Sequence, residues 1–357
     1  MSALGIVTDR AGVTGIAGPT NTIVDVAGIR IGHATETDAG ALTGTTCVLL
    51  PAAGAVGGVE VRGAAPGTRE TDLLDPRNLV ERANAIVLTG GSAYGLASVD
   101  GVMSRLEAAR RGFPVGDDPA HVVPIVPGAV IYDLARGGEF GRRPKAATGA
   151  AAYDAAASRG SDRAVAQGNV GAGTGAVAGG IKGGTGSASV VVSGIGTVGA
   201  IVVVNAVGSC VDPATGGLYG AHFGLPGEFP EDVRARPGLE LPVRPAPSLS
   251  TTLVVLATDV PLTKARCQKM AGIGHDGLAR AIRPVHTMFD GDTVFSVSTG
   301  SGTEPDNFAF HALLDMAGDC VSRAVAHAML AAKTVTTPGG SFTAYRDLPR
   351  TQDRNGP

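Results

Sequence analysis

A change in sequence character places one threonine where it could act as a nucleophile. Residues 212–250 contain seven prolines between Pro213 and Pro247 and no periodicity, which is typical of a linker or a long surface loop. At Thr251 the sequence turns into Thr-Thr-Leu-Val-Val-Leu-Ala-Thr, the pattern of a buried strand. Cleavage before Thr251 would expose an N-terminal threonine, whose hydroxyl attacks and whose α-amine, titrating near neutral pH, serves as base. On the residues alone, an ordinary loop entering an ordinary strand is the simpler interpretation.

Other residue types that carry chemistry give weaker patterns. Asp290-Gly-Asp292 could bind a divalent cation, but a calcium loop needs more oxygen ligands at short spacing, so a turn is favoured. The seven histidines form neither HxxxH nor HExxH, and the four cysteines form no CxxC pair. We therefore predict no metal, no organic cofactor and no disulfide framework.

The glycine-rich motifs also fall short of known signatures. Gly91-Ser-Ala-Tyr-Gly95 resembles a nucleophile elbow, but that motif needs glycine two residues after the serine, where Tyr94 stands. Ser92 is therefore predicted to cap a helix, with a pocket wall or an anion cradle as the alternative. Lys182 precedes glycine instead of Ser or Thr, which excludes a P-loop.

Composition limits the class of protein. The 357 residues are 44% apolar and 17% charged, with a net charge of −3, which argues against nucleic acid as the main partner. Residues 183–211 carry no charge, but two β-branched runs separated by a glycine-rich turn indicate buried strands, not a membrane helix. The first 19 residues lack the pattern of a signal peptide. We expect a soluble, cytoplasmic protein without membrane partners.

Strands and helices are predicted to alternate along the chain. Short apolar runs predict strands at residues 22–26, 29–31, 46–50, 58–61, 85–89, 190–192, 201–204, 251–259 and 293–298. Helical spacing predicts helices after Ser92, at 149–158, from Pro261 towards residue 282, and at 307–332. Residues 334–357 have the composition of a loose polar tail. Such alternation indicates an α/β or a layered α+β protein.

Three longer blocks resemble one known family. Residues 62–72 (RGAAPGTRETD), 86–96 (IVLTGGSAYGL) and 168–175 (GNVGAGTG) are similar to signature blocks of the DmpA-type L-aminopeptidase/D-esterases. This family includes β-aminopeptidases and endo-type 6-aminohexanoate (nylon) oligomer hydrolases, and the similarity runs from about Thr22 to Ala332. The resemblance implies an αββα sandwich, shared with ornithine acetyltransferases, in one structural domain.

The resemblance also implies how the chain is processed and assembled. Family members are precursors that cut themselves once, here into an α chain of residues 1–250 and a β chain from 251, with its core at 251–333. The two chains stay together, and the family forms tetramers of αβ units, so a homotetramer is expected.

Site residues follow from the same resemblance. Thr251 matches the family nucleophile, and Asp290 and Asp292 match the acidic pair of the nylon-oligomer group, where β-aminopeptidases carry Ser and Glu. Asn205 matches a pocket residue that serves the oxyanion or the substrate carbonyl. Two further active-site positions match Lys182 and Tyr132. A nearby Lys⁺ would depress the pKa of a Thr251 amine.

One position departs from the family pattern. Ser250 precedes the proposed nucleophile, where the family carries Asn or Gly. Self-cleavage proceeds by attack of the Thr251 hydroxyl on the carbonyl of residue 250, so the rate depends on this residue. A cut one residue earlier, which would make Ser250 the nucleophile, is the alternative.

The function predicted from the sequence is amide hydrolysis by an N-terminal threonine. The substrates expected are peptides or linear ω-amino-acid oligomers, and the sequence does not rank α-peptides, β-peptides, D-amino-acid esters and nylon oligomers. Two rivals are an acyltransferase, which passes the acyl group to an amine, and an uncleaved binding protein without activity.

Self-cleavage predicts two bands on a denaturing gel. Scaled by residue count from 35.5 kDa, the α chain has about 25 kDa and the β chain about 10.6 kDa. Edman degradation of the small band should begin Thr-Thr-Leu-Val-Val. A start at Ser-Thr-Thr would move the nucleophile to Ser250, and a single full-length band in active protein would contradict the mechanism.

Overall fold

The computed structural model of the chain describes residues 7–8, 14–158, 164–242 and 249–351. Within these ranges the strands in chain order are β1 (Val7–Thr8), β2 (Thr14–Ile16), β3 (Arg30–Glu36), β4 (Thr43–Leu49), β5 (Ala55–Val61), β6 (Thr68–Arg69), β7 (Arg82–Ala83), β8 (Ala85–Thr89), β9 (Phe113–Pro114), β10 (Val122–Val123), β11 (Gly128–Val130), β12 (Val177–Ala178), β13 (Ile181–Lys182), β14 (Gly184–Val192), β15 (Gly196–Val204), β16 (Leu253–Thr258), β17 (Thr293–Ser298), β18 (Val335–Thr337) and β19 (Gly340–Phe342). The helices are α1 (Ser92–Gly95), α2 (Ala97–Ala108), α3 (Ala146–Ser158), α4 (Glu231–Arg234), α5 (Lys264–Ala281) and α6 (Asn307–Ala331).

Two mixed sheets form the centre of the fold. The larger has eight strands in the order β1-β2-β14-β15-β16-β17-β5-β7, and the smaller has five in the order β3-β4-β8-β11-β6. The pair β14 and β15 is antiparallel, whereas β16 and β17 run parallel. The segment between these parallel strands contains α5, as a crossover connection requires.

Burial on both faces of the strands shows how the layers stack. In β16 all six residues are buried, as expected for a strand covered on both sides. Leu253 and Val255 share a core with Ile86 and Leu88 of the smaller sheet. Val254, on the opposite face, belongs to the core that contains the apolar sides of α5 and α6.

A second helical layer covers the smaller sheet. Cys47 and Val87, from β4 and β8, pack in one cluster with Val99 of α2 and Ala152 of α3. The layers therefore run helix, sheet, sheet, helix, which confirms the predicted αββα sandwich. No helix in the described ranges is long and apolar enough to span a membrane.

Many predicted elements are present with bounds close to those predicted. Two predictions were wrong: a strand at residues 22–26 and a capping role for Ser92. Residues 22–26 form a 3-10 turn at Ile23–Asp25 instead of a strand. Ser92 is the first residue of α1, capped by Gly91, and its side chain makes no capping hydrogen bond. Ser92 has a φ of +51°, so its backbone continues a sharp turn from the preceding strand.

The proline-rich segment is packed more closely than predicted. Residues 243–248 lie outside the described residues, but Leu218, Phe229 and Val233 in its first part are buried in the core beneath α6. Prolines interrupt regular structure without preventing apolar side chains from packing.

The predicted loose tail is also folded as far as residue 351. Strands β18 and β19 pair as a hairpin. Tyr345 is 2% exposed, and its hydroxyl donates to the carbonyl of Gly216 at 3.0 Å. Ala344 and Leu348 are buried beside it, so a few apolar side chains anchor an otherwise polar segment, which its overall composition does not show.

The contact between α2 and α3 depends on glycine. A Cβ at Gly149 would lie 1.7 Å from the carbonyl oxygen of Ser98, and a Cβ at Gly101 would lie 1.8 Å from that of Ala146. Backbone atoms cannot yield to such a contact, so any side chain here separates the helices.

We expect Gly149→Ala to lower the free energy of unfolding by about 3 kcal/mol, the upper range for overpacking. Gly141→Ala is the matched control, because a Cβ there meets no heavy atom within 4 Å, and its effect should stay within about 0.5 kcal/mol. Urea titration followed by circular dichroism measures both. Equal midpoints for the two variants would show that the helices do not meet at Gly149.

Candidate active site

The ends of three neighbouring strands bring most of the predicted site residues together. Leu253 of β16 lies opposite Thr293 of β17, and the parallel pairing extends as a bridge between Ser250 and Asp290. On the other side, the amide of Thr251 donates to the carbonyl oxygen of Asn205 at 2.6 Å. Register therefore places residues 205, 251 and 290–292 at one end of the large sheet.

The carbonyl group of Ser250 accepts two hydrogen bonds. The Thr251 hydroxyl donates to it at 2.5 Å, and the backbone amide of Gly291 donates at 2.9 Å. Thr251 is 4% exposed. A hydroxyl and an amide donor thus converge on the bond that self-cleavage would break, and the amide can stabilise negative charge developing on the oxygen.

Asp292 holds the backbone next to Thr251. Its Oδ1 accepts from the amide of Thr252 at 2.6 Å. Its Oδ2 accepts from His286 twice, from the backbone amide at 3.1 Å and from Nδ1 at 2.7 Å. The carboxylate is 1% exposed, so these donors replace the water that it loses.

Asp290 is held in the same way by other donors. Its Oδ1 accepts from the amide of Val207 at 3.2 Å, and its Oδ2 accepts from the amide and hydroxyl of Thr287 at 3.0 and 2.6 Å. Burial raises the pKa of Asp290, and the neighbouring charge of Asp292 raises it further. The hydrogen bonds described for the two carboxylates go to backbone amides, His286 and Thr287, and none of them goes to the Thr251 hydroxyl. Their role towards Thr251 stays a prediction.

Asn205 connects the nucleophile region to the smaller sheet. Its Oδ1 accepts from Nη1 of Arg136 at 2.5 Å and from the amide of Val177 at 3.1 Å. Its Nδ2 donates to the carbonyl of Tyr132 at 3.4 Å. Its contact with Thr251 is through the backbone, and a role for its side chain towards an oxyanion stays a prediction.

The Lys182 side chain is fully buried. Its Nζ donates to the carbonyls of Gly173, Ala176 and Gly183 at 3.2, 2.9 and 2.8 Å. Burial lowers the pKa of Lys182 well below its usual value, and the charge of Arg136 lowers it further. The three carbonyls favour the charged ammonium, whereas burial opposes it. Lys182 thereby links the backbone at residues 173, 176 and 183, next to the Val177 amide that donates to Asn205.

A small cavity opens beside Thr251. Its volume is about 120 Å³, and it is lined by Ala65, Pro66, Gly67, Ser92, Ala93, Val130, Tyr132, Leu249, Ser250 and Thr251. The structure thus places Tyr132 and Thr251 on one cavity. Ser92 forms part of its wall, which is the alternative that the sequence left open for the glycine-rich turn.

The chain matches the model of peptidase family S58 over residues 21–343. It is 46% identical over 345 residues to an uncharacterized aminopeptidase of Mycobacterium leprae, covering 90% of this chain and 93% of that protein. It is 31% identical over 270 residues to a 6-aminohexanoate-oligomer endohydrolase of a Kocuria species, covering 72% of this chain and 69% of that protein.

Solved structures agree with the sandwich described above. A β-aminopeptidase from a Burkholderia species superimposes with a TM-score of 0.72 at 25% identity, covering 92% of each chain. The L-aminopeptidase D-Ala-esterase/amidase of Ochrobactrum anthropi, described as a variant of the N-terminal-nucleophile hydrolase fold, gives a TM-score of 0.70 at 23% identity, covering 93% of this chain and 92% of that one.

The layered fold is the variant of the N-terminal-nucleophile hydrolase fold seen in the Ochrobactrum anthropi structure. The chain belongs to peptidase family S58, and it is an enzyme of the aminopeptidase and amidase type that this family contains. The resemblance seen in the three sequence blocks is thereby confirmed.

Several groups at the site were missed by sequence reasoning. Arg136 holds Asn205, and burial lowers the pKa of this arginine to about 10 although Asp133 opposes the effect. His286 holds Asp292, and the amide of Gly291 points at the Ser250 carbonyl. An isolated arginine, a loop histidine and a backbone amide carry no spacing signal that a pattern could reveal.

The acidic pair generates a testable prediction. Asp292→Ala and Asp290→Ala should each slow self-cleavage and substrate turnover on the order of 10²-fold, the loss that misplacing a reacting group by about 1 Å can cause. Densitometry of the precursor band over time and an amide-hydrolysis assay measure the two rates.

Asp154→Ala supplies the control. Its carboxylate makes an exposed ion pair with Arg105 on the outer helices, and such pairs contribute little. Wild-type kinetics in both site variants would return Asp290-Gly-Asp292 to the status of a structural turn.

Proposed function

We propose that this protein is a self-processing amidohydrolase whose nucleophile is Thr251, released as an N-terminal residue by cleavage of the Ser250–Thr251 bond. The observation that carries the proposal is the convergence on the Ser250 carbonyl, where the Thr251 hydroxyl and the Gly291 amide both donate.

Self-cleavage would begin with attack of the Thr251 hydroxyl oxygen on the carbonyl carbon of Ser250. The oxygen of this carbonyl gains negative charge and keeps the Gly291 amide as donor. Breakage of the C–N bond, with the proton of the attacking hydroxyl passing to the nitrogen, leaves an ester between Ser250 and the Thr251 side chain and a free α-amine. Water then hydrolyses the ester, which yields the Ser250 carboxylate and the free hydroxyl.

The mature site uses the same atoms on a substrate. The α-amine of Thr251 takes the proton of its own hydroxyl as the oxygen attacks the substrate amide. The Asn205 carbonyl accepts from this nitrogen at 2.6 Å in the intact chain. In the mature site it would hold one N–H of the amine, so that the lone pair of the nitrogen stays turned towards the hydroxyl. The leaving amine departs with a proton, and water releases the acyl group.

The substrates proposed are short peptides and linear ω-amino-acid oligomers. Support comes from the relatives, one named an aminopeptidase and one an oligomer endohydrolase. A cavity of about 120 Å³ beside Thr251 has the volume of a few water molecules, so it accommodates a small acyl portion. We further expect αβ units to assemble into a homotetramer, as the resemblance implies.

A matched pair of variants tests the nucleophile. Thr251→Val removes the hydroxyl but keeps volume and β-branching, so we expect a folded, full-length precursor without amidase activity. Thr252→Val removes a hydroxyl that has no hydrogen-bond partner among the described residues, and it should be cleaved and active. Gel electrophoresis measures cleavage and an amidase assay measures activity. If the Thr251→Val chain were cleaved while the Thr252→Val chain stayed uncleaved and inactive, the nucleophile would be Thr252 instead of Thr251.

Thr251→Ser addresses the role of the methyl group. The serine keeps the attacking hydroxyl but loses the restriction on χ1, so cleavage should proceed more slowly than in the wild type. Time courses of the precursor band measure the rate. A complete loss of cleavage would show that the methyl group, and not only the hydroxyl, is required.

A further inference from the structure

The loop that precedes the acidic pair folds back onto Asp292. His286 has a φ of +56°, and its side chain is 17% exposed. From this position both its backbone amide and its ring reach the same oxygen, Oδ2 of Asp292, at 3.1 and 2.7 Å.

This contact determines the tautomer of the ring. Nδ1 must carry a proton, because the carboxylate oxygen beside it accepts. Nε2 is buried and has no hydrogen-bond partner among the described residues. The hydrogen bonds that His286 makes in the described structure from its ring and its amide therefore both serve Asp292.

The neighbouring histidine packs against this ring without competing for the carboxylate. The ring centroids of His275 and His286 are 4.7 Å apart with the planes at 76°. His275 Nε2 lies 2.9 Å from the carbonyl of Glu60, which can only accept. Burial lowers the pKa of His275 to about 4, so it stays neutral and supports the edge of the His286 ring.

Asp292 passes this orientation on to the cleavage site. While His286 holds Oδ2, Oδ1 accepts from the Thr252 amide at 2.6 Å, which belongs to the peptide that follows Thr251. A carboxylate without its histidine partner could rotate about χ2. The Thr251–Thr252 peptide would then lose the hydrogen bond that fixes its orientation. Misplacement by about 1 Å can cost roughly 10²-fold in rate.

We propose that His286 is a positioning residue: through Oδ2 of Asp292 it fixes the backbone that carries the Thr251 hydroxyl, both for self-cleavage and for turnover. This inference rests on the proposed function of Thr251. His286 does not belong to the lining of the cavity beside Thr251, so its effect falls on rate and not on substrate binding.

Two substitutions that tolerate the positive φ separate donor chemistry from backbone strain. Glycine and asparagine both adopt this conformation readily. His286→Gly removes the ring donor, whereas His286→Asn keeps an N–H on the atom bonded to Cγ, as Nδ1 of histidine is. We expect His286→Gly to lower the self-cleavage rate and kcat roughly 10- to 100-fold with KM unchanged. His286→Asn should keep both rates within about 3-fold of the wild type.

The experiment measures precursor decay on gels and then kcat and KM per mole of processed β chain, with thermal melting as a check on folding. Wild-type rates in His286→Gly, or equal losses in both variants, would overturn the positioning role. A KM increase at constant kcat would also overturn it. Failure of the proposed function is recognised separately, because either the wild-type chain would stay uncleaved or the Thr251→Val chain would still be cleaved.

Discussion

The parallel pairing of β16 with β17 is the constraint on which the site depends. Residues 253–258 lie opposite 293–298 with an offset of 40 throughout, and the bridge between Ser250 and Asp290 keeps that offset. Thr251 thereby lies beside Gly291, whose amide reaches the Ser250 carbonyl. A slip of one residue would exchange the two faces of the strand and take the Gly291 amide away from the Ser250 carbonyl.

Around this register, four buried polar side chains are held in place by hydrogen bonds. Asp290, Asp292, Asn205 and Lys182 are all at most 1% exposed, and each is held by several donors or acceptors. Burying such groups is costly unless their hydrogen bonds are replaced, so each alternative arrangement of the loops would leave some unpaired. The hydrogen bonds that offset the cost of burial also preorganise the site, which suits chemistry in which charge develops on one oxygen.

The proposed cut lies at one end of the large sheet, just before β16, and the pairing of β16 and β17 with their neighbours explains how two chains would remain one molecule. Strands β16 and β17 belong to the proposed β chain, while β15 and β5, which pair with their outer edges, belong to the α chain. Cleavage before Thr251 breaks no strand pairing. The interface between the two proposed chains would be the interior of a sandwich, with the hydrogen bonds and apolar packing of a protein core.

The sequence by itself determined the family, the layered fold and the bounds of β17 and α6, because apolar periodicity and motif blocks are local properties of the chain. It also singled out Thr251, Asp290 and Asp292. Only the tertiary structure revealed the link from His286 to Asp292, the bond from Arg136 to Asn205, and the packing of the proline-rich segment and Tyr345. Most of these contacts depend on strand register and on loop paths that bring together residues distant in sequence. The contact of His286 also depends on its positive φ angle, and no local sequence pattern indicates any of them.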